Sequence, residues 1–151
     1  MEFPCAIVRS GGVYAERNPD RSLLGWALQT LKAGKEITAY ADIFNTPTFI
    51  GDLLKALVHI GEHKLEGIFH LGGASRESRY SFFKTFARIF ELPTELIKTA
   101  RYAPLPDTAR LPSDISLNSE SSYQMLGERF LTAEEIFVSS CKSTRDVRQR
   151  T

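Results

Sequence analysis

The sequence has 151 residues, 42% apolar side chains and a formal net charge of +1, which fits one domain with its own core. It has no basic stripe of the kind that binds nucleic acid, and no apolar run long enough to cross a bilayer. We therefore expect no nucleic-acid or membrane partner, and a cytoplasmic protein whose two cysteines, Cys5 and Cys141, have no chemical role.

The chain opens with a short apolar run at residues 4–9, which predicts a strand buried on both faces of a parallel sheet. A helix follows that Asp20 or Ser22 caps and that continues to Lys32. Residues 36–41 alternate between apolar and polar side chains, which is typical of a second strand.

The middle of the chain repeats this order. An Asn-Thr-Pro-Thr turn at 45–48 precedes a helix from Phe49 to about Glu62, and residues 67–71 predict a third strand. A helix with an aromatic face then covers about 78–92.

The last third is less regular. Residues 97–102 predict a short strand, and the Pro- and Ser-rich segment 104–122 predicts a loop. A last helix begins at Thr132, where Glu135 completes a capping box. Three to four strands with about four helices, alternating along the chain, indicate an α/β fold.

The first strand raises a question about completeness. A central-type strand that begins almost at Met1 is unusual for a doubly wound sheet. We therefore expect the natural chain to begin upstream of Met1, and this sequence to be the second half of a larger fold.

Four stretches carry a resemblance to the dTDP-4-dehydrorhamnose reductase family of extended short-chain dehydrogenases. They occur in the family's order and with similar spacing: IVRSGGVYA at 7–15, DIFNTPTFIGDLLKAL at 42–57, GIFHLGG at 67–73 and ARLPSDISLN at 109–118. The resemblance implies a partial Rossmann-like fold, the C-terminal half of such an enzyme. It implies a substrate-binding half-domain over residues 1–138, with a polar, flexible tail at 139–151.

The resemblance also implies site residues. Arg9 and Tyr14 match the loop that enters the substrate cleft, and Arg110 matches an Arg that meets the diphosphate of a nucleotide sugar. A strand-end ion pair for Arg9 and a packed ring for Tyr14 remain equally open. Ser10 and Gly11, in the same loop, are the predicted cofactor contacts.

The family's loop often carries a Trp that lines the sugar pocket, where this sequence has Gly12, and a polar residue where it has Gly11. This departure leaves the identity of the sugar open. Thr48 is expected to cap the following helix, and Asp52 to favour the dipole of its first turn.

The cofactor fingerprint of such enzymes, a Gly-rich turn between the first strand and a helix, does not occur in this sequence. The stretch HLGGAS at 70–75 follows a strand and precedes a helix, but it lacks the third glycine. Full-length family members use NADP or NAD, and we expect this chain alone to bind neither.

The stretch YSFFK at 80–84 has the Tyr-x-x-x-Lys spacing of the catalytic pair of short-chain dehydrogenases. Tyr80 and Lys84 would share a helix face, but the resemblance places the catalytic pair upstream of residue 4. We interpret Tyr80 as a packing residue beside the aromatic face of its helix.

The histidines give no metal site. His59 and His63 are spaced i, i+4 on a helix, but no third ligand is near in sequence. His70 lies within a predicted strand, where a hydrogen-bonded core histidine is the simpler interpretation.

Two functions remain open, besides a weaker third alternative, a complete small α/β protein of unrelated function, which would require the four matched stretches to be a coincidence. The first is the substrate-binding portion of an NAD(P)-dependent nucleotide-sugar reductase, inactive alone. The second is a non-catalytic binding or regulatory protein on the same scaffold, like the regulatory β subunit of methionine adenosyltransferase. In both, the sheet surface that a missing half would cover is expected to bind a protein partner or a second copy.

Overall fold

The computed structural model describes residues 4–15, 22–104 and 110–148, with side chains through Lys142. The described part is a mixed α/β structure, as the sequence predicts. The strands are β1 Ala6–Ser10, β2 Val13–Tyr14, β3 Ile37–Tyr40, β4 Phe44–Asn45, β5 Thr48–Phe49, β6 Gly67–Leu71, β7 Glu77–Ser78 and β8 Ile97–Ala100. The helices are α1 Leu23–Lys32, α2 Ile50–Glu62, α3 Arg79–Ile89, α4 Glu120–Leu126 and α5 Ala133–Arg148.

The strands form four two-stranded sheets among the described residues. Three pairs are parallel, β1 with β6, β2 with β5 and β3 with β8, and β4 pairs with β7 in the antiparallel sense. All predicted strands are present, and the additional ones are two-residue strands too short to produce a periodic pattern.

Local capping signals explain where three helices begin. The Ser22 side chain accepts a hydrogen bond from the Gly25 N–H at the start of α1, while the alternative cap Asp20 lies outside the described residues. Ser78 and Ser81 form a capping box at α3, and Thr132 with Glu135 forms the predicted box at α5.

The predicted cap of α2 is wrong. The N-cap residue is Phe49, and no side chain caps it. The buried hydroxyl of Thr48 instead donates to the carbonyls of Thr46 and Leu71, at 3.1 and 3.3 Å. Thr48 is paired with Val13 in a sheet, so its hydroxyl lies against neighbouring chain segments rather than over the helix end.

The segment predicted as loop at 104–122 contains the start of α4, which the sequence analysis missed. α4 has only seven residues and three serines in or beside its first turn, so its intrinsic helix propensity is low. Gly127, at φ 71°, ends it in the left-handed conformation.

The last helix extends beyond residue 138 to Arg148, into the segment predicted as a flexible tail. The boundary of the domain at 138 stays a prediction. None of the helices among the described residues is both long and apolar enough to cross a bilayer.

The core has two clusters. The larger one joins α1, α3, α5, β3 and β8, and Phe137 at its centre contacts Tyr14, Phe82 and Phe86 at centroid distances of 5.3–5.9 Å. The predicted aromatic face of α3 thus packs inward. The smaller cluster packs α2 and α4 against one face of β6.

The β1–β6 pair is covered on one face only. Val8 and Phe69, which are register partners, pack on the second cluster. On the opposite face their neighbours Ile7 and Ile68 are 49% and 54% exposed. Among the described residues β1 pairs with β6 alone, so its other edge is open.

Candidate functional site

The carboxyl ends of β1 and β6 lie side by side because the two strands are parallel and Ser10 is the register partner of Leu71. The loops that leave this edge are Gly11–Gly12 and Gly72–Gly73. In open α/β sheets ligands bind at this edge, where neighbouring strands end. We therefore take this edge as the candidate site.

The Thr-Pro-Thr turn is inserted between the two glycine pairs. A Cβ at Gly11 would lie 2.1 Å from the Thr46 carbonyl oxygen, and one at Gly73 would lie 1.9 Å from that of Pro47. A Cβ at Gly72 would lie 2.4 Å from the Thr46 hydroxyl oxygen. These three glycines permit close backbone contact between distant segments.

This packing bears on cofactor binding. A phosphate-binding glycine loop needs space for the ligand beside its backbone, but here the turn lies close against Gly11, Gly72 and Gly73, whereas a Cβ at Gly12 would meet its nearest neighbour at 3.8 Å. Neither IVRSGG nor HLGGAS therefore fits a pyrophosphate cradle. The contacts predicted for Ser10 and Gly11 with a cofactor stay predictions.

Arg9 lies on the open face of the β1–β6 pair, where its Nη1 group donates to the His70 Nε2 atom at 3.4 Å. His70 is half-buried, and its backbone N–H donates to the Ser122 hydroxyl. His70 is therefore hydrogen-bonded, but at the boundary of the open face rather than in a core.

Tyr14 is a core residue. It is buried between α3 and α5, with ring contacts to Phe49, Phe82 and Phe137. Of the two interpretations left open by the sequence, this geometry favours packing. One side of the ring also lines a small cavity described below.

Arg110 is exposed on the loop at 110–119 that precedes α4, the late loop. The next residue, Leu111, donates its N–H to the Tyr102 hydroxyl, and the loop then passes Phe44, whose N–H donates to the Ser113 carbonyl. The three predicted substrate residues thus lie on the open sheet face, in the core and on this loop. Their role in substrate binding stays a prediction.

The contacts of the YSFFK motif favour a structural role. The Lys84 ammonium group donates to the Thr94 carbonyl at 3.2 Å and lies 5.8 Å from the centre of the Tyr80 ring. Tyr80 is half-buried against the larger core cluster. Both side chains have structural partners, which favours the packing interpretation.

The His59 and His63 rings stack at 4.1 Å between centroids, and the His63 Nδ1–H donates to the His59 carbonyl. Stacked rings do not direct their in-plane lone pairs at one point. Among the described residues no three His, Cys, Asp or Glu side chains lie close enough to hold a metal ion.

The sequence analysis missed four polar residues beside the candidate edge. Arg76 donates to Asp114 at 2.8 Å and lies over the Phe44 ring at 3.7 Å, which fastens the late loop to β4. Hydrogen bonds from Ser116, and then from Arg76, hold the pKa of Asp114 at about 2. Asn45 and Glu77 are partners in the β4–β7 pair.

A cavity of about 70 Å³ lies next to Asn45. Gly12, Ser78 and Arg79 line its polar side, and Val13, Pro47 and Phe82 its apolar side. A wider groove of about 500 Å³ lies between α2 and residues 126–130, but none of the predicted site residues lines it.

The fold and the strand-end site define a partial Rossmann-like α/β unit. Residues 3–140 match the family described as RmlD substrate binding domain, and the chain belongs to this family. The predicted resemblance is thereby confirmed. No curated protein matches the sequence.

Solved structures of dTDP-4-dehydrorhamnose reductases have the same fold as this chain. The dTDP-4-dehydrorhamnose reductase of Clostridium acetobutylicum superposes with a TM-score of 0.77 at 19% identity, over 93% of this chain and 49% of that one. The enzyme from Bacillus anthracis, in complex with NADP, gives 0.75 at 18% identity, over 87% and 46%. A hypothetical dTDP-4-dehydrorhamnose reductase from Sulfolobus tokodaii gives 0.70 at 26% identity, over 87% and 45%. The chain thus spans about half the length of the structures it matches.

Proposed function

We propose that this chain is the substrate-binding portion of an NAD(P)-dependent nucleotide-sugar reductase of the dTDP-4-dehydrorhamnose reductase type. The observation that carries the proposal is the family match over residues 3–140. Its structural counterpart is the parallel β1–β6 pair, whose carboxyl ends lie side by side at the edge where open α/β sheets bind ligands. The proposal includes a reducing, cytoplasmic location, which the two free thiols of Cys5 and Cys141 favour.

The NAD(P) site belongs to another polypeptide segment under this proposal. Three of the four paired glycines, Gly11, Gly72 and Gly73, lie close against the Thr-Pro-Thr turn, and the Lys84 ammonium group donates to a backbone carbonyl. We expect a fluorescence titration of the purified chain with NADPH to give no saturable signal. Tight binding that disappears in a Tyr80→Phe, Lys84→Ala variant would refute this assignment.

The open side of the β1–β6 pair is where the missing portion would bind. An exposed strand edge offers unpaired N–H and C=O groups, and Ile7 and Ile68 add apolar surface beside it. A parallel strand supplied by the cofactor portion would pair with these backbone groups, and the rest of that portion would cover the apolar side chains. That portion belongs either to the same polypeptide or to a separate chain.

The test begins with the mass of the natural protein isolated from its own cells. A polypeptide roughly twice this length, as the 45–49% coverage of the reductases suggests, that reduces a dTDP-4-keto sugar with NADPH would support the proposal. A protein that binds neither dTDP nor dTDP-sugars in calorimetry would overturn it.

A second candidate is a non-catalytic regulatory subunit on the same scaffold, like the β subunit of methionine adenosyltransferase. The open apolar sheet face favours it, because such a face also suits a stable protein partner. A 17.0 kDa natural product that copurifies with a different enzyme and lacks reductase activity would support this candidate over the first.

A further inference from the structure

Arg79 is a positively charged residue at the cavity next to Asn45. It is the first residue of α3 and is exposed. Within the described part of the chain its side chain makes no hydrogen bond or ion pair. Arg9 and Arg76, by contrast, donate to other side chains. The Arg79 guanidinium group is therefore available to a group from outside the chain.

The cavity restricts the size and charge of that group. Its volume is about 70 Å³, and a water molecule takes up about 30 Å³ in the liquid, so roughly two groups of that size fit. Among the described residues that line the cavity, Arg79 alone is charged. The cavity is thus too small for a sugar ring or a base, and the charge of Arg79 favours an anion over a cation.

Asn45 supplies a second donor at the same cavity. Its Oδ1 atom is shielded from solvent, whereas its amide nitrogen is the nearest atom to a Cβ built on Gly12, at 3.8 Å. Gly12 and Asn45 both line the cavity, so the amide directs its N–H groups toward the space that Gly12 leaves open. An anionic group in the cavity would therefore meet two donors, one of them charged.

A carboxylate matches this arrangement. Its two oxygens have the size of the two groups that fit, and they accept hydrogen bonds from a guanidinium group in a bidentate manner. Val13, Pro47 and Phe82 line the apolar side of the cavity, which suits the carbon atoms next to a carboxyl group. A phosphoryl group is bulkier and carries up to two charges, for which a single arginine is a poor match.

The position of the cavity indicates which ligand carries the carboxylate. Gly12 belongs to the loop that leaves the carboxyl end of β1, at the candidate edge. We propose that Arg79 and Asn45 bind the carboxylate of a sugar acid, with the rest of the ligand lying along this edge. This assignment rests on the function proposed above and adds the class of sugar, a nucleotide-linked sugar acid.

The experiment uses the protein as isolated from its own cells, with any associated polypeptide. Calorimetry measures binding of dTDP, dTDP-glucose and dTDP-glucuronic acid, in which a carboxylate replaces the hydroxymethyl group of the glucose ring. The variants are Arg79→Gln and Asn45→Asp, which puts a negative charge beside the ligand's own. The matched control is Arg88→Gln, since Arg88 is exposed on the same helix but does not line the cavity. Circular dichroism checks that each variant is folded.

We expect the unmodified protein to bind dTDP-glucuronic acid about tenfold more tightly than dTDP-glucose, as one charge-assisted contact predicts. Arg79→Gln and Asn45→Asp should remove this preference and leave the affinity for dTDP-glucose unchanged, while Arg88→Gln keeps it. Equal affinity of the unmodified protein for the two sugars would overturn the proposal. A preference that survives in Arg79→Gln would overturn it as well, and this variant tests it even if Asn45→Asp does not fold.

A second measurement separates this proposal from the proposed function. Saturation-transfer NMR with free glucuronic acid, and with acetate as competitor, reports on the cavity without a nucleotide. Glucuronic acid binding that Arg79→Gln weakens, without any dTDP binding, would keep the sugar-acid subsite and refute the nucleotide-sugar function. Binding of dTDP and dTDP-glucose without any preference for the acid would refute the subsite alone. Acetate that binds as tightly as glucuronic acid would show an anion site without a sugar, which contradicts the proposal.

Discussion

Among the described glycines, Gly73 is the one at which an added Cβ would meet the shortest contact. Its missing Cβ leaves room for the Pro47 carbonyl oxygen, which a methyl group would approach to 1.9 Å. Because both contacting atoms of Pro47 belong to the backbone, the clash cannot be relieved by a side-chain rotation. Glycine at this position is therefore a packing requirement, not a sign of a phosphate-binding loop.

We expect Gly73→Ala to lower the free energy of unfolding by about 1–3 kcal/mol, the usual cost of overpacking. Urea denaturation followed by circular dichroism measures it. The matched control is Gly61→Ala in α2, where a Cβ has no neighbour within 4 Å. That variant should gain about 0.5–1 kcal/mol from helix propensity. Equal effects of the two substitutions would contradict the packing argument.

Glu135 makes stability depend on pH. Its hydrogen bonds with the Arg129 side chain, and then with the Thr132 N–H, hold the pKa of the carboxyl at about 2, below its ordinary value of 4.5. A depressed pKa in the folded state means that this contribution is complete above about pH 4.5. It is lost as the pH falls toward 2.

Glu135→Gln should therefore lower the thermal midpoint at pH 7, and the difference from the unmodified protein should vanish near pH 2. The effect is small because the pair is exposed and screened by solvent. Melting curves at pH 7, 4 and 2 measure it, with Glu134→Gln as a control for charge on the same helix turn. A difference that persists at pH 2 would contradict the proton linkage.

At the scale of elements, α4 closes the outer edge of β6. Ser122 and Ser119 accept hydrogen bonds from the N–H groups of His70 and Gly72, both at 2.9 Å. The Tyr123 hydroxyl donates to the Gly72 carbonyl. A helix with serines on its inner face thus takes the place of a neighbouring strand and protects this edge from pairing with other chains.

We expect Ser122→Ala to lower the free energy of unfolding by about 1–3 kcal/mol, because the His70 N–H then remains buried without an acceptor. Ser121→Ala, at an exposed position of the same helix, should change stability by less than about 0.5 kcal/mol. Urea midpoints of the two variants provide the comparison. If Ser121→Ala were as damaging, loss of the bond to the His70 N–H would not explain the effect of Ser122→Ala, because alanine itself favours a helix more than serine does.

At the scale of the whole molecule, the two edges of the β1–β6 pair differ. The β6 edge is closed by α4, whereas among the described residues nothing covers the β1 edge or the face with Ile7 and Ile68. Exposed apolar side chains beside an open strand edge are costly for an isolated unit. This asymmetry is the reason for proposing that a partner, either a further segment of the same polypeptide or another chain, binds on the β1 side.

We expect Ile68→Glu to abolish association at this surface, because it places a charge on the exposed apolar face. Sedimentation velocity over a range of concentrations, or copurification of the natural partner, measures it. Leu54→Glu is the matched control, because Leu54 is equally exposed, at 54%, but lies on α2. Loss of association in the Leu54 variant alone would place the interface on α2 instead.

The sequence by itself determined the order of the longer elements, the cap of the last helix at Thr132 and the family, and it left Asp20 and Ser22 as alternative caps of α1. These features depend on side chains a few residues apart or on the pattern of whole stretches, and both can be recognised in the sequence alone. Short elements such as β4, β7 and α4 were not predicted. Two to seven residues show no reliable hydrophobic period, and tertiary contacts override a weak intrinsic propensity.

Only the tertiary structure decided what the glycine pairs, Thr48 and Tyr14 do, and that Asn45 and Glu77 lie opposite each other. In each case the deciding neighbour comes from a distant part of the chain: the turn at Thr46–Pro47 for Gly11 and Gly73, and α5 for Tyr14. Steric fit and hydrogen-bond satisfaction depend on distances of a few ångströms between such segments, which sequence spacing does not specify.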